Sequence, residues 1–158
     1  MRNGGESIVT IYKILVFIHI VSAILGMGPG FVLSLIPKTA KTMDELRNAY
    51  IIKHQVHLFT MYGGMGLLFS GLGMGMLNPG LFTMWWYNIS LLLFLIGLAM
   101  GPFVLAPISK KIKYILATHK EVAIPKEYRR LVKKLDFYEG IGLVVFSMII
   151  ILMITKPF

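Results

Sequence analysis

Four histidines, eleven methionines and seven acidic residues are the side chains here with metal or proton chemistry, and cysteine is absent. Without thiols, disulfides, thiolate metal sites and cysteine catalysis drop out. His19 is the most informative of the set, because it lies inside an apolar run whose only other basic residue is Lys13. An ionisable group within hydrocarbon is costly, so it faces the interior of a bundle. A neutral imidazole there can ligate haem iron, bind another metal, or hydrogen-bond across helices. At ~100° per residue, Gly26 and Gly30 each lie about 20° from His19 around a helix. Those glycines either admit a neighbouring helix or clear room for a flat cofactor.

His54 and His57 form an i, i+3 pair that could share a metal, although the sequence offers no third ligand. The plainer alternative is a pair of interfacial histidines facing water or phosphate. His57 also aligns with Gly64, Gly71 and Gly75, which would turn it inward. His19 and His57 differ by ~20 Å in depth. Two axial ligands of one iron must lie about 4 Å apart, so this pair does not clasp one haem. Glu139 is a candidate proton-relay carboxylate or a partner for the histidines, or else pairs with Lys133 or Lys134 at the interface. Methionines such as Met65, Met74 and Met148 can bind iron or copper(I), but more commonly fill gaps in a core. There is no P-loop, no HExxH motif and no nucleophile elbow.

The elements that must position these residues are hydrophobic helices. The chain has 158 residues, 56% hydrophobic and only 15% charged, where a soluble domain carries about a quarter. Four apolar segments, at about 8–36, 57–77, 82–108 and 137–154, can each cross ~30 Å of hydrocarbon at 1.5 Å per residue. Backbone groups must be satisfied internally in lipid, so these are helices. Val21-Ser22-Ala23 has the look of a signal-peptide cleavage site. The run continues to Ile36, so the segment is read as a span. The fold class expected is an all-α integral membrane four-helix bundle, antiparallel and up-down, forming a single domain.

Thirteen of the sixteen basic residues fall in two stretches, 37–56 and 109–136, and the turn around Asn78-Pro79-Gly80 has none. The positive-inside rule then puts both stretches in the cytoplasm and both termini outside. Topology thus accounts for the net charge of +9, and nucleic acid is not expected as a partner. Ile112, Ile115 and Leu116 recur at helical spacing among lysines, which predicts a short surface helix in a basic loop, lying on anionic lipid headgroups. Trp85, Trp86 and Tyr87 form an interfacial aromatic belt. Gly28-Pro29-Gly30 predicts a kink in the first helix, and Pro102 and Pro107 predict bends in the third. Small residues recur every four positions at Ser22, Gly26, Gly30 and Ser34, then at Gly71 and Gly75, and at Gly97 and Gly101. These predict close helix packing.

Several short motifs carry a family resemblance across most of the chain. They are His19-Ile20-Val21-Ser22-Ala23-Ile24 with Gly26, Trp85-Trp86, Pro107-Ile108-Ser109-Lys110-Lys111, and Met153-Ile154-Thr155-Lys156-Pro157. With them the chain resembles the small bacterial four-helix membrane proteins of the domain-of-unknown-function family numbered 2269. These look distantly similar to HemJ-type protoporphyrinogen oxidases and CopD-type copper proteins. The resemblance implies a bacterial cytoplasmic membrane location and haem b bound by the first-helix histidine, here His19. It also calls for a helix-borne lysine, but Lys53 and Lys113 both read as loop residues.

The first functional expectation is therefore a haem-b-binding redox protein with His19 as axial ligand, exchanging electrons with a quinone, a porphyrin or superoxide. The alternatives are a small homo-oligomeric transporter or channel, and an accessory subunit packed against a larger membrane complex.

Overall fold

The computed structural model describes the backbone of residues 3–157 and the side chains of residues 6–157, and the described residues contain helices and no strand. The helices are α1 (Asn3–Met27), α2 (Gly30–Leu33), α3 (Met43–Leu77), α4 (Trp85–Met100), α5 (Ala106–Thr118) and α6 (Lys126–Thr155). Short 3-10 turns cover Ile36–Thr39 and Pro79–Thr83, and a π-helical turn covers Gly101–Leu105.

The expected kinks have local causes. α1 stops at Met27 and helix resumes at Gly30, because Pro29 cannot continue the hydrogen-bond ladder. Gly28 packs so tightly on the preceding turn that a β-carbon there would sit 2.5 Å from the Ile24 carbonyl oxygen. Pro102 falls in the π turn, which passes straight into α5.

Two stretches read as basic loops are largely helix. α3 begins at Met43, fourteen residues before the apolar run, and Thr42 caps it by accepting from the Glu45 N–H. The Glu45 carboxylate accepts from the Lys41 N–H in return, closing a capping-box-like start. α5 continues the third apolar segment to Thr118, and α6 starts at Lys126. Lys53 and Lys113 accordingly stand on helices, not in loops.

Three segments are long and apolar enough to cross a membrane: Glu6–Thr39, Trp85–Thr118 and Lys126–Thr155. The second expected span is not among them. Its stretch of α3 carries Gly63, Gly64, Gly66, Gly71, Gly73 and Gly75, which contribute little hydrophobicity.

Two cores hold the bundle, and they differ in kind. The first gathers Met43 and Leu46 of α3, Ile108, Ile112, Ile115 and Leu116 around α5, and Tyr128 and Leu135 of α6. Leu46 and Ile112 are 0% exposed. This corrects the expected surface helix, because the isoleucines meant to lie on lipid are sealed against α3 and α6. The second core, around Met27, Leu67 and Ile149, is smaller. Large apolar side chains also stand open on the outside of the bundle, with Ile24 66% and Phe103 80% exposed. Hydrophobic expulsion compacts a core only where water surrounds it, whereas lipid-facing helices have no such drive.

Candidate functional site

α1 packs most extensively on α3, and α4 on α6. Along the first seam, Leu15 meets Gly73, His19 meets Ser70 and Gly71, Ser22 meets Gly66, and Gly26 meets Gly63. Contacts descend one helix as they climb the other. Their spacing is four, three and four residues on α1, the coiled-coil rhythm, rather than the every-fourth-residue row expected.

A β-carbon on Gly26 would lie 3.0 Å from the backbone of Gly63 and Gly64, and one on Gly63 would strike the Gly26 backbone. Gly26 is therefore occupied by a neighbouring helix and holds no slot beside His19. Gly30 leaves this seam and meets the Leu143 side chain of α6, 3.3 Å from its would-be β-carbon.

His19 is half-buried where the two helices touch. Its Nδ1 lies 2.9 Å from Ser70 Oγ. The Ser70 hydroxyl reaches back to the Gly66 and Leu67 carbonyl oxygens of its own helix, at 2.5 and 3.3 Å. It donates to one of them at a time, so its lone pairs are available to an imidazole N–H. Ser70 is buried at 3% exposure. At the next residue of α3, the Tyr87 hydroxyl of α4 donates to the Gly71 carbonyl at 3.0 Å. Ser70 was not singled out in the sequence, although its place among the α3 glycines is the signal that could have found it.

His57 is exposed and lies thirteen residues from Ser70 along α3, about 20 Å away. His54 is exposed as well. Among the described residues, no three His, Asp or Glu side chains gather closely enough to hold a metal ion, so the pair gains no third ligand.

A second polar group lies at the opposite end of the bundle. Lys53 Nζ of α3 pairs with Glu139 Oε1 of α6 at 2.8 Å, with side chains 12% and 18% exposed. Glu139 thus reaches across to α3 and not to Lys133 or Lys134. Lys38, at the end of the first membrane segment, pairs with Asp136 Oδ2 at 3.0 Å. Asp136 Oδ1 and Glu139 Oε2 are buried without a hydrogen-bond partner among the described residues. Tyr50 and Tyr128 pack edge to face beside them. Burial pushes the Tyr50 hydroxyl well above its ordinary range, and Tyr128, Glu139 and Asp136 act the same way.

These are the features of a membrane-embedded helical protein: three membrane-length apolar segments, paired charges near one end and a histidine bonded across a glycine seam. No curated protein and no solved structure matches the chain. A family model described as "Predicted integral membrane protein (DUF2269)" matches residues 13–157, and the chain belongs to that family.

Proposed function

We propose that this protein crosses the bacterial cytoplasmic membrane four times and carries a b-type haem on His19 for a redox role. α3 is the fourth crossing. Its glycines lower its hydropathy, and four of them, Gly63, Gly66, Gly71 and Gly73, lie against α1. The basic ends of α3, α5 and α6 lie in the cytoplasm against anionic headgroups, and both termini lie outside.

The hydrogen bond from His19 Nδ1 to Ser70 Oγ carries the haem reading. Histidines that bind metal usually commit their other ring nitrogen to a fixed partner, which sets the tautomer and the ring orientation. Here Ser70 takes Nδ1 and is itself held by helix carbonyls, so in this reading Nε2 is the nitrogen left for iron. Bound haem supplies one-electron chemistry. Gly26 and Gly63 close the seam and Gly30 meets Leu143, so in this reading these glycines pack helices and His19 is the residue that would hold the haem. A quinone or a porphyrin is the class of electron partner.

The paired charges Lys53 and Glu139 favour a second reading, a small oligomeric transporter. Ionisable groups paired inside a membrane bundle mark ion and proton paths.

Absorption spectra of the detergent-purified protein, oxidised and dithionite-reduced, separate the two. A Soret band that shifts on reduction is expected in wild type, lost in His19→Ala and retained with altered shape in Ser70→Ala. Colourless wild type, produced with ample haem and unable to take up haemin, rejects the haem reading and sends the question to flux measurements in proteoliposomes.

A further inference from the structure

A shallow, largely open groove of about 460 Å³ lies between the first turns of α3 and the end of α5. Its lining is sorted by chemistry. Ile51, Leu116 and Ala117 are its apolar surface, while His54, Gln55 and Lys113 are its polar side chains. Arg47 forms one wall, and its guanidinium is already committed. It donates to the Asp44 carboxylate at 2.6 Å and to the Leu116 and His119 carbonyls at 2.9 and 2.5 Å. Those carbonyls belong to the C-terminal end of α5, where a cation suits the helix dipole. Arg47 therefore fixes the shape of the groove, and Lys113 and His54 remain to meet a ligand. The lining contains no acidic residue. Ile51 and its neighbour Ile52 are 59% and 51% exposed, so an apolar path leads from the groove onto the outer face of α3.

We propose that this groove is a binding site for one anionic glycerophospholipid, whose phosphate meets Lys113 and His54 while its chain runs over Ile51. The placement rests on the orientation proposed above, with the α3–α5 end at the cytoplasmic leaflet. The argument for a lipid over free phosphate is the mixed lining. A small hydrated anion gains nothing from the exposed Ile51 and Ala117, whereas an amphiphile uses them together with the cations. The apolar face of α5 is spent in the protein core, so contact with headgroups falls to its cations. The cleft concentrates that contact at one place, as basic pockets between membrane helices do.

Thermal stability of the full-length protein is measured in detergent supplemented with phosphatidylglycerol, with phosphatidylcholine, or with inorganic phosphate. Phosphatidylglycerol should raise the melting temperature of wild type. Lys113→Ala with His54→Ala should lose most of that rise, and Lys120→Ala, an exposed lysine outside the groove, should keep it. Equal stabilisation by both lipids, full stabilisation by inorganic phosphate, or equal losses in Lys120→Ala and the double variant would each overturn the site. Orientation is read separately. The chain has no cysteine, so a single Lys120→Cys in cells should resist an impermeant thiol reagent. Labelling from outside would overturn the orientation alone and leave the detergent result standing.

Discussion

At the scale of single residues, Lys53 and Glu139 are the side chains with the most to lose. Each is mostly withdrawn from solvent, and the second oxygen of Glu139 already lacks a donor. Removing one partner of such a pair leaves a buried charge uncompensated and costs about 3–5 kcal/mol, whereas replacing both with apolar groups of similar size is often near neutral. Lys53→Met should therefore lower the melting temperature sharply, and Lys53→Met with Glu139→Met should restore most of it. A double variant as unstable as the single one would mean that the polar cluster itself, not the pairing, supports α3 on α6. His19 and Lys53 show how unevenly residues can be read from sequence. The isolation of His19 in an apolar run made it conspicuous. Lys53 looked like one more loop lysine, because its partner lies 86 positions away and its helix starts before hydrophobicity rises. The Thr42-Met43-Asp44-Glu45 capping signal was present and would have marked that start.

At the scale of helices, the proposed topology has α3 and α5 each working in two solvents. α3 opens with a polar stretch that buries Met43 and Leu46 beneath α5, then becomes a glycine-rich rod against α1. Hydrophobic transfer stabilises the first half and close backbone contact the second. Truncating a wholly buried isoleucine in a water-surrounded core costs about 2–5 kcal/mol, part of it transfer free energy. Ile112→Ala should therefore cost clearly more than Leu67→Ala, whose surroundings include lipid-like solvent and whose loss is packing alone. Thermal unfolding in one detergent compares them, and equal losses would count against two differently driven cores. The membrane-length runs themselves were legible, since three of the four expected segments meet the criteria of length and composition. The helical extensions were not. A basic amphipathic stretch has the same pattern whether its apolar face meets headgroups or a neighbouring helix, and only the tertiary partner decides.

At the scale of the molecule, the two helix pairs meet in the second core, and among the described residues three polar links also tie them. Lys53–Glu139 joins α3 to α6, Lys38–Asp136 joins the end of the first segment to α6, and the Tyr87 hydroxyl joins α4 to α3. Two of these lie at the basic end and one near the opposite end. The bundle is therefore clasped at its rims, with the Met27, Leu67 and Ile149 core between them. Composition set the chain's class as a membrane protein. It gave no means of knowing which helices pair, because every apolar segment is compatible with every other until glycines and polar side chains select among them.

The glycine seam of α3 has a consequence for how the protein is made. A segment that falls short of the hydropathy of its neighbours is a poor client for insertion on its own. In the proposed four-span topology, Gly63, Gly66, Gly71 and Gly73 sit in the membrane covered by α1. The ribosome delivers α1 first, so the earlier helix can wait in the bilayer and receive the later one. An insertion reporter fused after α3 should then read low integration when α3 is expressed without α1 and high integration when α1 precedes it. Efficient insertion of α3 alone would show that the pairing helps only the finished protein. In that order of synthesis, α1 acts as a private chaperone for its own chain.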